Sequence, residues 1–339
     1  MVSTLSNTAK FGSTVNKTAE NDAGKSFILA HFSDPHLACV DHIKTRDLFN
    51  KRLWGYLRWK LKRRTGHSDE LLTCLYKDLQ RIKPDHIAIT GDLTQLGLPV
   101  EFEMARDWLH NLGSAGKITV VPGNHDTYVK SDWRETFAHW LDYMAADEQE
   151  QPANLITSLD ELFPTLQIRN QFALIGINTA CPSGPHLATG TIGARQLKKL
   201  DLILKHLSSQ RLFRIILIHH PPIDGIVSWR RSLTDAASLR LILERYGAEL
   251  ILFGHAHMTV QTCLAASTGF IPVMGAPSVS SVSCTDKKRS RYCLYEINAT
   301  DTGWKVRHEE RVFSLEQQCF VDCRQQNFSG SSRISVTNT

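Results

Sequence analysis

What this chain lacks narrows it first. Its eight cysteines, at positions 39, 74, 181, 263, 284, 293, 319 and 323, form no Cys-x-x-Cys pair. That argues against a disulfide framework or a zinc ribbon and for reduced thiols, with a cross-link or a metal at Cys319 and Cys323 as the lesser alternative. No apolar run approaches the ~18 residues that span a bilayer. Residues 1–25 are rich in Ser, Thr, Asn and Lys and carry no apolar segment of the kind a secretory signal needs. These absences predict a cytoplasmic protein. Residues 1–25 read as a disordered tail, and 313–339 as a second tail that loses order from about Asn327. No internal repeat is visible.

The basic charge is also unevenly spread. The net charge is +5, yet residues 44–64 hold nine Lys or Arg and one acid, a local +8. The rest of the chain is then about −3 by subtraction. A general nucleic-acid binder would spread its positive charge over a wide face, so nucleic acid is not the expected partner. Phe49, Leu53, Leu57 and Leu61 recur every four residues through this stretch, which predicts an amphipathic helix weakened at Gly55. Two readings stay open for it. One is a solvated basic helix packing its Leu face on the core. The other is a basic flap, with Trp54, Tyr56 and Trp59 interleaved, that meets an anionic substrate or is peripheral to the anionic inner face of the membrane.

What is present is a rhythm of apolar strands ending in polar turns. Strands are expected at Phe27–Ser33, Asp85–Thr90, Ile118–Val121, Leu212–Ile218 and Glu249–Phe253. Helices are expected at Asp69–Ile82, from Pro99 to about Asn111, at Trp133–Met144, at Ala194–Leu207, and from a Thr234 cap to Gly247. Residues 147–164 read as a loop or cap insertion, and Leu166–Ile168 with Phe172–Asn178 as a hairpin. From Met258 to Val312 the pattern is all β, near 258–264, 270–275, 291–297 and 303–311. Alternating β and α followed by a run of strands predicts an α/β fold of two packed sheets with helices outside, spanning 26–312.

Five of the strands deliver metal-friendly residues: Asp34-Pro35-His36, Gly91-Asp92, Asn124-His125-Asp126, His219-His220 and Gly254-His255-Ala256-His257. In open α/β sheets functional groups collect just beyond the carboxyl ends of strands. Singly, each turn is commonplace. Together they place six of the fifteen histidines beside two aspartates and an asparagine, a set that needs partners or a metal if buried. Imidazole, carboxylate and amide oxygen suit borderline divalent ions such as Mn, Fe, Zn or Co. The ligands exceed one tetrahedral zinc and suffice for two ions sharing a carboxylate, the clamp used for displacement at phosphorus.

In order, these motifs resemble the five signatures of the calcineurin-like metallophosphoesterases, over about Phe27 to His257. The resemblance implies a four-layer α/β/β/α sandwich, two mixed β-sheets flanked by helices. It implies Asp34, His36 and His257 on one ion, Asn124, His219 and His255 on the other, and Asp92 bridging. His125 would protonate the leaving oxygen with Asp126 orienting it, and a metal-bridging hydroxide would attack phosphorus directly. His219 is chosen over His220 because the family's ligand usually stands two residues before a proline, here Pro221. Position 95 is Gln, not the Tyr of purple acid phosphatases. Gly91-Asp92-Leu93-Thr94 and a motif closing on Asp126 depart from the Ser/Thr protein phosphatases. The pattern is most similar to the bacterial cyclic-nucleotide and glycerophosphodiester phosphodiesterases, which implies hydrolysis of a phosphodiester. Two alternatives are a membrane-associated pyrophosphatase of a lipid-linked nucleotide sugar and a non-catalytic scaffold of the same fold.

Overall fold

The computed structural model describes residues 26–38, 52, 53, 56, 68–147, 152, 155–267 and 269–329. Two six-stranded sheets carry the fold. The first is built from β1 (Phe27–Phe32), β2 (His86–Ile89), β3 (Ile118–Val120), β10 (Arg291–Thr300), β11 (Gly303–Ser314) and β12 (Cys319–Ser329), in the order β12-β11-β10-β1-β2-β3. The second holds β4 (Thr165–Arg169), β5 (Phe172–Ile177), β6 (Phe213–Ile218), β7 (Leu250–Phe253), β8 (Val260–Ala266) and β9 (Gly269–Gly275), in the order β4-β5-β6-β7-β9-β8. Both are mixed. β1, β2 and β3 run parallel, as do β5, β6 and β7, while β10–β12 and the β4–β5 and β8–β9 hairpins are antiparallel.

The second sheet shows how a wholly apolar strand serves two layers. Successive side chains point to opposite faces. On β5, β6 and β7, Leu174, Phe213, Ile215, Leu217, Leu250 and Leu252 join the core shared with the first sheet. Their neighbours Ala173, Ile175, Ile216, Ile218, Ile251 and Phe253 pack against helices instead. Those helices are α5 (Ala194–Leu207), through Leu200 and Leu204, and α6 (Ala236–Tyr246), through Leu239 and Leu243. On the first sheet the cover is α1 (Asp69–Ile82) and α2 (Pro99–Leu112). Ser68 caps α1 by accepting from the Glu70 amide, and Lys83 ends it in the left-handed region. The result is helix, sheet, sheet, helix, as expected.

Four local expectations need correction. The predicted tail at 313–339 is a strand to Ser329, because β12 pairs along β11 and buries Phe320 and Phe328 while its polar residues face out. The helix expected at Trp133–Met144 is two 3-10 turns followed by the short α3 (Leu141–Met144); in the second turn Trp140 stacks on Phe102 and Phe137 meets it edge-on rather than continuing a helical register. Residues 147–164 include the short α4 (Leu159–Leu162). Thr234 does not cap α6; its hydroxyl donates to the Gly190 carbonyl, and Asp235 precedes the helix with its carboxylate turned to the amides of Ile192 and Gly193.

The predicted basic helix at 44–64 lies largely outside the described residues. Arg52, Leu53 and Tyr56 are helical. Arg52 is buried and Leu53 exposed, while Phe49, Leu57 and Leu61 of the expected apolar face lie outside the described residues. Among the described residues no cysteine forms a disulfide, and no helix is long and apolar enough to cross a membrane.

Candidate metal centre

The parallel strands β1, β2, β3, β6 and β7 point their carboxyl ends the same way, so their polar turns meet. The turns stay laddered: the amides of Asp34, His36 and Leu37 donate to the carbonyls of Gly91, Asp92 and Leu93, and the Gly254 amide donates to the His219 carbonyl. Five of the predicted ligands, Asp34, His36, Asp92, His255 and His257, have φ between 49° and 62°. That left-handed conformation is uncommon for residues with a side chain and collects at functional sites. Two glycines make the approach possible. A Cβ at Gly123 would fall on the Asp92 carboxylate, and one at Gly254 on Ser33 and Asp34.

Each aspartate is half satisfied. Asp34 Oδ2 accepts from the His255 amide at 3.1 Å, and Asp92 Oδ1 from the His125 amide at 2.7 Å. The other oxygens, Asp34 Oδ1 and Asp92 Oδ2, are buried without a hydrogen bond and face imidazoles. Asp34 Oδ1 lies 3.1 Å from His257 Nε2 and 3.7 Å from His36 Nε2; Asp92 Oδ2 lies 3.4 Å from His219 Nε2. His219 Nε2 is also 3.1 Å from Asn124 Oδ1. Two groups of ligand atoms result, Asp34/His36/Asp92/His257 and Asp92/His219/His255, each within a 4.8 Å span. Asp92 belongs to both.

The rings are aimed by backbone carbonyls. His219 Nδ1–H donates to the Thr90 carbonyl at 2.7 Å, leaving Nε2 for the cluster. His255 Nε2–H donates to the Arg231 carbonyl at 2.9 Å, leaving Nδ1. Outer partners of this kind fix the tautomer of metal-binding histidines. His220 points elsewhere, its ring held between the Thr179 hydroxyl and the Ala188 carbonyl.

Electrostatics agree with a cation site. Burial opposes charge on Asp92, but His219, His125 and His36 outweigh it and hold the carboxyl well below its usual range. Burial likewise opposes a charged His219, yet Asp92 and Asp34 push it up to about 9. Burial, then His220, His219 and Arg231, hold His255 well below its ordinary value. The cluster therefore demands positive charge, and unbonded buried carboxylate oxygens are costly unless a cation meets them. The residues fit a pair of divalent ions.

His125 and Asp126 differ from expectation in one respect. Asp126 does not orient His125. Its carboxylate accepts from the amides of Thr94 and Gly123 and from the Thr94 hydroxyl, tying the turns after β2 and β3 together. Burial, then the nearby Asp92 charge, pushes it up to about 7. The orienting group is the Gln95 carbonyl, 2.6 Å from His125 Nδ1. The loop carrying it is clasped by Arg52, whose Nε donates to the Leu96 carbonyl at 3.0 Å and whose second nitrogen donates to the Gly97 carbonyl at 2.5 Å. Sequence reasoning did not find Gln95 or Arg231, because a backbone carbonyl leaves no trace in residue type, nor Arg52, whose guanidinium reaches carbonyls more than forty residues away.

Residues 27–259 match the calcineurin-like phosphoesterase family, and the chain belongs to it. A cAMP/cGMP dual specificity phosphodiesterase of Mycobacterium tuberculosis is 26% identical over 264 residues, 76% of this chain and 68% of that protein. A 3′,5′-cyclic-nucleotide phosphodiesterase of Nostoc sp. is 27% identical over 259 residues, 73% of this chain and 85% of that one. The structure of a dimetal phosphatase from Danio rerio superposes over 90% of this chain and 99% of that chain with a TM-score of 0.56 at 14% identity, a likeness of fold.

Proposed function

We propose that this calcineurin-like phosphoesterase hydrolyses phosphodiesters, with cyclic nucleotides as its substrate class, at a centre of two cations. Asp34, His36 and His257 would hold one ion, Asn124, His219 and His255 the other, and Asp92 both. The observation that carries this is the place of Asp92 in both ligand groups, with its inward oxygen unbonded. The donor set suits Mn, Fe or Zn. Such ions would supply Lewis-acid polarisation of a phosphoryl oxygen and activation of a water at neutral pH. The cyclic-nucleotide assignment is supported by the names of the relatives above.

The chain's own contribution to chemistry centres on His125. Its amide braces Asp92 and its Nδ1 is fixed by the Gln95 carbonyl. Nε2 is thus the nitrogen that can carry a proton to the leaving oxygen, a role worth roughly 10²–10⁴ in rate. Hydrolysis of a cyclic nucleotide, a nitrophenyl diester, a nitrophenyl monoester and a lipid-linked nucleotide sugar should be compared with Mn present. The diesters should lead. His125→Ala should slow the cyclic nucleotide, whose leaving alkoxide is poor, far more than the nitrophenyl diester, with metal content unchanged. A preference for the monoester would sink the diesterase reading, and loss of metal from His125→Ala would make that residue structural.

A further inference from the structure

Beside the centre stands a turn whose last residue aims His255 and whose first two residues have no part in the hydrolysis argued above. Trp229-Arg230-Arg231 forms one 3-10 turn, locked to the centre at its last residue. The Arg231 carbonyl accepts from His255 Nε2 at 2.9 Å, and the Arg231 guanidinium donates back to the His255 carbonyl. On its other side the turn is tied to the loop before α5, with the Ala188 amide donating to the Arg230 carbonyl at 2.8 Å and the Gly190 amide to the Ser232 carbonyl at 3.1 Å. The turn thus forms one unit with a residue of the ligand cluster. From this fixed frame Trp229 stands 70% exposed, the most exposed large hydrophobic side chain among the described residues. The Arg230 guanidinium lies 5.2 Å from its ring centroid. An anchored backbone that holds an indole out in water suits an aromatic ligand. At about 2 Å of rise per residue, Trp229 stands roughly 4 Å along the turn from the residue bonded to His255. The turn meets His255 on the nitrogen that faces away from the cluster, so the indole stands outside the ligand ring, where a group extending outward from a phosphate at the cluster would meet it.

We propose that Trp229 and Arg230 form the recognition platform for the nucleoside of the substrate, the base stacking on the indole with the guanidinium beside it. The position of the phosphate rests on the phosphodiesterase reading above. The platform would distinguish a cyclic nucleotide from a small alkyl diester, since every base presents a π-face and an alkyl group does not.

The test uses the metal-loaded full chain as wild type, Trp229→Ala and Trp229→Phe. Calorimetry measures adenosine 5′-monophosphate and inorganic phosphate; kinetics compare a cyclic nucleotide with glycerophosphoethanolamine. Loss of one stacked base weakens binding by roughly tenfold or more. Trp229→Ala should therefore bind the monophosphate about tenfold more weakly with phosphate unchanged, and Trp229→Phe should restore most of it. KM for the cyclic nucleotide should rise by a similar factor at constant kcat, with the alkyl diester unaffected. Unchanged monophosphate affinity, or equal losses for monophosphate and phosphate through disturbance of His255, would overturn the platform. Trp229-dependent monophosphate binding in a protein that cleaves no diester would uphold the platform and sink the phosphodiesterase reading instead.

Discussion

His31 and His219 are both fully buried, one inside the first sheet and one at the strand ends, and their electrostatics are opposite. Burial takes His31 down to about 3, aided by His308. The same burial acts on His219, yet Asp92 and Asp34 take it up to about 9. His86 and His308, also in the sheet, resemble His31 at about 3. Burial alone makes a neutral histidine that hydrogen-bonds to a hydroxyl, as His31 and His86 do to Thr90 and Thr119. Paired carboxylates make a pocket that requires positive charge. A histidine count therefore says little, and the aspartates beside it say most.

The largest test of that contrast is Asp92→Asn. It keeps the shape, removes the charge shared by both ligand groups, and should turn His219 into a residue of the His31 kind. Metal content should fall and turnover should drop by several orders of magnitude, on the scale of losing a whole catalytic unit. Elemental analysis with single-turnover kinetics checks it. Full turnover in this variant, or in chelator-stripped wild type, would rule out the two-cation centre.

A smaller effect is expected at Arg52, which touches no ligand. It holds the carbonyls of Leu96 and Gly97, next to the Gln95 carbonyl that fixes His125. Arg52→Met should lower kcat on the cyclic nucleotide by about tenfold, the size typical of an outer partner, at constant metal content. The revealing readout is the substrate split. A positioning role repeats the His125→Ala pattern, with the poor leaving group hurt more than nitrophenol. A uniform loss on both would make Arg52 a fold residue only.

These cases also mark what the sequence could and could not reveal. The five strand ends were legible because each candidate ligand sits within a few residues of an apolar run, and the family motifs supplied the order. His219 against His220 was decidable from the pleat. Phe213, Ile215 and Leu217 face the other sheet, so the next residue in that alternation is 219, not 220. β12 was hidden because an edge strand with one buried face can be mostly polar; Asp322, Arg324, Gln325 and Gln326 carry no β signal. Asp126 was misjudged because adjacency in sequence suggested contact with His125, whereas its carboxylate reaches back to Thr94 on the preceding turn. The orienting carbonyls of Thr90, Gln95 and Arg231 were beyond reach, since any residue type could supply them.

The smallest effect belongs to the other half of the comparison. His86 is buried on β2, 2.7 Å from the Thr119 hydroxyl, which donates onward to Gln167. Burial, then the charge of Arg169, takes it to about 3, below the ordinary value near 6.5. The folded protein therefore keeps this ring neutral where the unfolded chain takes up a proton. Its contribution is fully present above about pH 6.5 and is lost as the pH falls toward 3, at about 1.4 kcal/mol per pH unit well below 6.5. Gln at position 86 can still donate to Thr119 but cannot titrate. Urea unfolding at about pH 7.5 and about pH 5.5 should show wild type losing roughly 1 kcal/mol more than His86→Gln. Acid effects at the candidate ligands act on both proteins and cancel in the difference. Equal losses would mean that the folded protein protonates His86 as readily as the unfolded chain, and burial would then not be what separates the two kinds of histidine.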